Sequence, residues 1–270
     1  MIALWIVSNA GAGAWTRDAG SVYAKTSVDA YGSSQYVDPR GIAVDASFHG
    51  EAVATYVEVG VLDNLQITAQ VPLQSGTNSF PVGTEEGHAT SVRMGDLWVG
   101  LQTGLLGKPF RLAVSVEGKI PLYSNDSVGQ DGGAYRAYFP LPGDGQIDLG
   151  AWLWGGGSIP GTQLWGQIGA GYRYRSSWFV GFVTDADFSD GVPMRGQLGL
   201  GTKGNWISLN VDAFQALVND DLTREWVTAG PSGGYALGRG FALEARVSVD
   251  LYTRHSSKGV GGGVGVSWTQ

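Results

Sequence analysis

Residues 53–73 read VATYVEVGVLDNLQITAQVPL, in which apolar side chains occupy alternate positions on both sides of a short polar turn. The odd-numbered positions from Val53 to Val61 hold valine or threonine, and those from Leu65 to Leu73 hold leucine, isoleucine, alanine or valine. Successive side chains of a β-strand point to opposite faces, so this period of two predicts two strands that are apolar on one face. The turn at residues 62–64 predicts that the two strands pair as a hairpin.

The same alternation recurs along almost the whole chain and therefore predicts an all-β protein. Each alternating segment is about long enough to cross a bilayer when it is tilted. The tenth segment is the least clearly patterned. The twelve predicted strands cover residues 22–30, 53–61, 65–73, 96–102, 112–122, 147–154, 164–175, 195–203, 207–213, 228–237, 241–252 and 260–268.

The composition of the 270-residue chain excludes several classes of protein. With 43% hydrophobic residues, and with 44 glycines that follow no period of three, the chain is neither disordered nor collagen-like. It has no cysteine, which excludes disulfides, a cysteine nucleophile and thiolate metal sites. A net charge of -7 argues against nucleic acid as a partner. No apolar run reaches the roughly 18 residues that a membrane-spanning helix requires.

The connections between the predicted strands alternate in length, which indicates a single transmembrane antiparallel up-and-down β-barrel. Such barrels have short turns on the periplasmic side and longer loops on the outer side. An even number of strands returns both termini to the periplasm. Short turns are predicted at residues 62–64, 105–110, 204–205 and 238–240, and long polar loops at residues 32–50, 74–91 and 123–146.

A soluble β-sandwich or lipocalin-like barrel is the alternative, because its apolar strand faces would point inward to a core. The polar face distinguishes the two architectures. It is rich in glycine, glutamine, tyrosine, tryptophan and charges of both signs, which suit a lumen. Aromatic residues near strand ends also favour a membrane barrel, since aromatic girdles lie at both interfaces. We therefore predict a barrel in the outer membrane of a Gram-negative bacterium, in contact with outer-membrane lipid. The candidate girdle residues are Trp15, Tyr174, Phe241, Tyr252 and Trp268.

The N-terminal stretch MIALWIVSNAGAGAW combines a short apolar run with small residues suited to signal-peptidase cleavage. Cleavage is expected after Ala10-Gly11-Ala12 or after Ala12-Gly13-Ala14, and the basic region that usually precedes the apolar run is missing. Residues 1–14 are therefore predicted to be the end of a truncated signal peptide, and residues 15–270 the barrel domain.

Several short motifs together carry a resemblance to a known family. GAWT at residues 13–16 precedes SVYAKTS at 21–27, GDLWVGL at 95–101 leads on to KIPL at 119–122, and GYRYR stands at 171–175, before the ending at 254–268. This set resembles the outer-membrane transporter proteins of the meta-pathway phenol-degradation family. The resemblance implies a barrel through which small molecules pass and does not identify the solute. The usual terminal aromatic is not matched, because Thr269 and Gln270 follow Trp268.

The polar parity of the strands supplies the candidate lumen and solute-binding residues. Acids dominate the second to sixth predicted strands, and Arg173, Arg175, Arg195 and Lys203 concentrate on the seventh and eighth. Opposite walls of opposite charge could orient a small solute, or the charges could pair across a filled lumen. The sequence is compatible with both arrangements of the charges. The candidate residues are Lys25, Glu58, Asp96, Trp98, Glu117, Lys119, Asp148, Arg173, Arg175, Arg195, Lys203 and Arg246.

A barrel enzyme is the alternative to a channel. A Ser-His pair for lipid hydrolysis could use His88 with Ser91 or His255 with Ser256, but neither pair has a third group at a recognisable spacing. The remaining histidine, His49, falls in a predicted loop. The acidic pairs at residues 85–86 and 220–221 are typical of solvated loops rather than of a cation site. We therefore predict no catalytic residues, metal or cofactor, and passive passage of small organic, aromatic or anionic solutes. A lipid hydrolase and a structural barrel with a filled lumen are the alternatives.

Overall fold

The computed structural model describes residues 13–82, 85–107, 109–124, 140–179, 188–201, 204–220 and 223–270, with side chains described except at residues 80–82, 85–86 and 177–179. All regular structure within these ranges is β-strand, and no helix there is long and apolar enough to cross a membrane. The strands are β1 (Val22–Val37), β2 (Ala43–Leu62), β3 (Leu65–Val82), β4 (Glu85–Met94), β5 (Asp96–Leu106), β6 (Phe110–Pro121), β7 (Gln146–Ser158), β8 (Leu164–Phe179), β9 (Gly191–Gly201), β10 (Trp206–Ala216), β11 (Glu225–Gly238), β12 (Phe241–Arg254) and β13 (Ser256–Thr269).

These strands make twelve crossings of one closed antiparallel barrel. Gly95 separates β4 from β5, and both pair with β3, so the two are halves of one crossing. The other strands pair with their neighbours in sequence, and β1 closes the barrel by pairing with β13. The predicted number of crossings is confirmed, as are the four predicted short turns. The end of the barrel that carries the β2–β3 turn is called the turn end below, and the opposite end the loop end.

Two of the three predicted long loops are wrong. Residues 32–50 and 74–91 are mostly strand, because β1 and β2 continue to Val37 and from Ala43, and β3 and β4 continue to Val82 and from Glu85. The cause is that the outward face of this extension is polar, as at Thr77 and Thr90, whose exposed hydroxyls lie 2.9 Å apart on neighbouring strands. The inward side chains, such as Phe48 and Asn78, are buried. Apolar alternation disappears there although the backbone ladder continues. The third predicted loop connects β6 to β7, and its residues 125–139 lie outside the described residues.

The outer surface of the barrel is apolar and the inner surface polar, the reverse of a soluble protein. Leu101, Leu153 and Leu209 point outward and are 42%, 54% and 56% exposed. Their neighbours Gln102 and Trp154 point inward and are 1% and 2% exposed. So large an apolar exterior is stable only in lipid, so the chain is a transmembrane β-barrel of the outer-membrane type.

Candidate functional site: a partly filled lumen

Residues 13–18 lie inside the lumen at the turn end and are called the N-terminal segment below. Gln102 Nε2 donates a hydrogen bond to the Gly13 carbonyl (2.7 Å), and the Ala14 amide donates to Gln167 Oε1 (2.9 Å). The Arg17 amide donates to Gln66 Oε1 (2.8 Å). The three glutamines stand on β5, β8 and β3, so they hold the segment across the lumen. Each of the three inward-facing glutamines thus uses one atom of its side-chain amide to bind the backbone of this segment.

Aromatic packing also holds the N-terminal segment. Ala14 belongs to a small buried cluster with Ala113, Trp152 and Trp154. Trp15 meets the ring of Trp165 edge to face, with the ring centroids 6.0 Å apart. The prediction that Trp15 belongs to a membrane girdle is therefore wrong, because the ring packs inside the barrel. The predicted signal peptide reaches into this region only at its last two residues, and residues 1–12 lie outside the described residues.

A second chain segment, residues 140–145, folds inward from the β6–β7 connection and is called the inward segment. Ser91 Oγ donates to the Pro140 carbonyl (2.6 Å), and the Gln74 side-chain amide donates to the Pro142 carbonyl. Tyr123 Oη accepts a hydrogen bond from the Gly145 amide (3.0 Å) and donates one to Asp96 (3.0 Å). The inward segment therefore lines the wall of β3 to β8 at the loop-end side of the N-terminal segment.

A buried cluster of charges anchors the inward segment to the wall. Lys119 Nζ lies 2.5 Å from Asp144 and 2.9 Å from Asp148, and Arg175 pairs with the same two aspartates. The side chains of Lys119 and Asp148 are only 3% and 2% exposed. Burial alone would raise the pKa of Asp144, but Lys119 and Arg175 outweigh it and lower the pKa below the usual aspartate value. Lys119, Asp148, Arg175 and the nearby Asp96 are candidate lumen residues, whereas Asp144 lies in a predicted loop and was missed by strand parity.

The remaining candidate charges also lie beside partners of opposite sign. Arg195 pairs with Asp212 on the adjacent strand at 2.5 Å, and Arg173 approaches Glu117 at 3.7 Å while stacking on Trp98. Lys203 lies outside the described residues. The pairs that line β1, β2 and β12 are Lys25 with Glu244 (2.7 Å), Arg246 with Asp29 (2.8 Å) and Glu58 with Arg17 (2.6 Å). These pairs run along the wall, between strands that are adjacent or one strand apart, or join the wall to the N-terminal segment.

A cavity of about 830 Å³ remains beside the N-terminal segment, whose Arg17 lines it. Its wall comes from β1, β2 and β8 to β13, and includes Tyr31, Trp206 and Arg246. Arg224, which precedes β11, also lines it, and burial lowers the pKa of its guanidinium to about 10, so it stays charged at neutral pH. The cavity volume is that of a small-molecule site rather than of a wide water-filled pore.

Glycines on the inner face let large rings lie flat against the wall. A β-carbon added to Gly169 would stand 2.3 Å from the Trp154 ring, and one added to Gly171 would stand 2.9 Å from the Trp152 ring. The two tryptophans stack on each other with centroids 4.9 Å apart. These close approaches account for part of the high glycine content, because any other residue would push the ring into the lumen.

The predicted Ser-His pair of β4 does not form. Ser91 Oγ donates to the carbonyl of Pro140, while His88 Nδ1 contacts Ser79 Oγ at 2.9 Å. His255 occupies the turn between β12 and β13 with a φ of 55° and meets Tyr36 edge to face. Among the described residues, no group of three or more histidine, aspartate or glutamate side chains could hold a metal ion.

Comparison with known proteins relates the chain to outer-membrane barrels by structure. No known family profile matches the sequence, and no curated protein matches it. The COG4313 outer membrane channel from Pseudomonas putida F1 superimposes with a TM-score of 0.69 over 94% of this chain and 97% of that chain, at 12% identity. The translocator domain of the autotransporter NalP from Neisseria meningitidis superimposes with a TM-score of 0.51 over 97% and 90%, at 14% identity. The likeness is one of fold, and it agrees with the membrane-facing exterior described above.

Proposed function

We propose that this chain is an outer-membrane channel through which small solutes pass passively, by way of the cavity beside the N-terminal segment. The observation that carries the proposal is a cavity of about 830 Å³ inside a closed barrel whose exterior faces lipid. A barrel that served only as a scaffold would gain by filling this space, because packed interiors are more stable than hollow ones. We also propose that the chain belongs to the meta-pathway phenol-degradation family of outer-membrane transporters, on the motifs given above.

The charges of the cavity favour solutes of low net charge or small anions. We propose Lys25, Glu58, Asp96, Trp98, Glu117, Lys119, Asp148, Arg173, Arg175, Arg195, Lys203 and Arg246 as residues that line the solute path or support its wall. Ion pairs at the lumen surface create local fields without a large net charge, and such fields select solutes by position and size.

Passage should be tested in proteoliposomes and planar bilayers with the purified barrel. Swelling rates with sugars, organic acids and small aromatic compounds would show which class passes, and heat-modifiable migration on gels would verify that the barrel is folded. Absence of both swelling and conductance would contradict the channel and support a filled structural barrel. Hydrolysis of phospholipid that disappears in His88→Ala or His255→Ala, with no conductance, would instead support the lipid hydrolase.

A further inference from the structure

A recess in the lumen wall lies next to the stacked pair Trp152 and Trp154. Its walls come from β2, β3, β5, β6 and β7, and Arg195 stands at its edge, where it also lines the large cavity. The guanidinium carbon of Arg195 lies 5.7 Å from the centroid of the Trp152 ring. A solute in the large cavity could therefore reach the recess past Arg195.

Four buried polar atoms on side chains that line the recess have no hydrogen-bond partner among the described residues: Gln70 Oε1, Gln102 Oε1, Glu117 Oε1 and Trp152 Nε1. The orientation of the Gln102 amide is fixed, because its Nε2 donates to the carbonyls of Gly13 and Trp15. Gln70, Gln102 and Trp152 are 4%, 1% and 7% exposed. Buried polar atoms without partners are costly and rare in folded proteins. Other such atoms lie elsewhere in the lumen, but these four line one recess, where a single polar guest could complete several of them.

The size and polarity of the recess define the guest. Its volume of about 40 Å³ is room for roughly three water-sized groups. Gln70 Oε1 and Gln102 Oε1 are acceptors and Trp152 Nε1 is a donor, so the guest must donate at least two hydrogen bonds and accept one. The fourth atom, Glu117 Oε1, already faces the guanidinium of Arg173 at 3.7 Å. A carboxylate cannot donate, and an ammonium group cannot accept from the indole N–H. Adjacent hydroxyl groups do both.

The charges around the recess are already paired, which favours a neutral guest. Arg195 is held by Asp212 at 2.5 Å, and Arg173 lies 3.7 Å from Glu117. The flat faces of Trp98 and Trp152 can pack against the carbon chain that carries the hydroxyls. We propose that this recess is a subsite for three neighbouring hydroxyl groups of neutral polyols that enter the lumen. This inference rests on the proposed channel function and names the solute class that the channel favours.

The test compares erythritol, a linear tetrol, with glycine betaine, which is of similar size and has no hydrogen-bond donor. Swelling rates of proteoliposomes would be measured for both solutes with the wild type, Trp152→Phe and Gln70→Met. Each variant removes one of the four atoms. Gln70→Met keeps a similar volume, and Trp152→Phe also makes the ring smaller, a change that the control below shares. The erythritol-to-betaine ratio should fall about two- to tenfold in each, the range expected for one hydrogen bond.

Trp154→Phe is the matched control. This substitution removes an indole from the same stack, but the Nε1 of Trp154 already donates to Ser115 Oγ at 3.1 Å in the wild type. Its ratio should stay close to that of the wild type. Binding would be measured separately from passage, by NMR of the protein in detergent. The indole N–H resonance of Trp152 would be followed, and it would be assigned by its absence in Trp152→Phe. Erythritol should shift this resonance, and glycine betaine should not.

The possible outcomes distinguish failure of the proposed subsite from failure of the proposed channel. If both solutes pass but the ratio is the same in all variants and the resonance does not move, the recess holds water only and the subsite is wrong, while the channel stands. If neither solute passes the wild type, the proposed function fails, and the resonance still decides whether the recess binds a polyol. If the erythritol-to-betaine ratio falls as much in Trp154→Phe as in Trp152→Phe, the effect comes from ring packing alone and the hydrogen-bond assignment is overturned.

Discussion

Lys119 Nζ lies 2.5 Å from Asp144 Oδ1, and this contact ties the inner wall of the barrel at β6 to the inward segment. Both side chains are largely buried, at 3% and 10% exposure. Because the pair is shielded from water, it holds the inward segment more firmly than a surface pair would. The inward segment therefore stays against the wall of β3 to β8 as long as this contact holds.

Replacing Asp144 by asparagine should loosen the inward segment. The change removes the charge that attracts Lys119 and Arg175 at nearly constant volume, and should lower the free energy of unfolding by about 2–3 kcal/mol. Single-channel recordings should show larger or more frequent conductance fluctuations than in the wild type. Asp38→Asn, which removes an aspartate paired with Arg40 in the exposed β1–β2 loop, is the control and should leave the recordings unchanged. Identical recordings for both variants would mean that Asp144 does not restrain the segment.

The pH dependence of the same contact follows from the lowered pKa of Asp144. A carboxylate whose folded pKa lies below its unfolded pKa stabilises the protein fully above the unfolded value, which is about 3.9. That stabilisation is lost as the pH falls through the folded pKa. The part of the stability difference between wild type and Asp144→Asn that comes from Asp144 itself should therefore shrink as the pH falls below about pH 4. Thermal unfolding in detergent across this range measures it. A difference that already disappears near pH 6 would contradict the assigned shift.

Removing the amides of Gln102 and Gln167 together should release the N-terminal segment. Each side chain makes one of the hydrogen bonds that hold Gly13 and Ala14 across the lumen. We expect the double alanine variant to conduct more ions than the wild type, with the barrel still folded. Gln163→Ala, at an exposed glutamine between β7 and β8, should conduct like the wild type. Unchanged conductance in the double variant would show that the segment does not limit flow.

Of the two predicted signal-peptidase sites, the contacts of Gly13 and Ala14 favour cleavage after Ala12 over cleavage after Ala14, which would move the predicted boundary at residue 14 by two residues. Cleavage after Ala14 would remove the Gly13 carbonyl and the Ala14 amide, which are the partners of Gln102 and Gln167. Intact-mass measurement of the protein purified from outer membranes should therefore identify Gly13 as the first residue. A mature chain that begins at Trp15 would leave both glutamines without these partners and would contradict the prediction.

A side chain at Gly169 should narrow the lumen. The β-carbon of Gly169→Val would stand 2.3 Å from the Trp154 ring, so the ring must swing away from the wall. Conductance should fall, and stability should decrease by about 1–3 kcal/mol because of overpacking. Gly155→Val is the control, since a β-carbon there meets nothing within 4 Å. A fall in conductance of similar size in both variants would rule out the ring as the cause.

The number of crossings and the outward parity could be predicted from sequence because they are local properties. Alternation within segments such as residues 53–61 and 65–73 records which face meets lipid, and the turn at residues 62–64 marks the reversal. The pattern fails where the outward face is polar as well, as at Thr77 and Thr90. For this reason the polar halves of β1 to β4 were predicted as loops, although their backbones pair as strands.

The contents of the lumen were decided only by the tertiary structure. Nothing local to Asp144 distinguishes it from a solvated loop aspartate, because its partner Lys119 is 25 residues away in sequence and meets it only after the β6–β7 connection folds inward. Likewise, Gly13 meets Gln102 across 89 residues, a contact that requires the barrel to be closed. Sequence alternation fixes the side on which each side chain lies. Barrel closure, strand register and the path of the inserted segments determine which partner it meets, because these depend on pairings between residues distant in the chain.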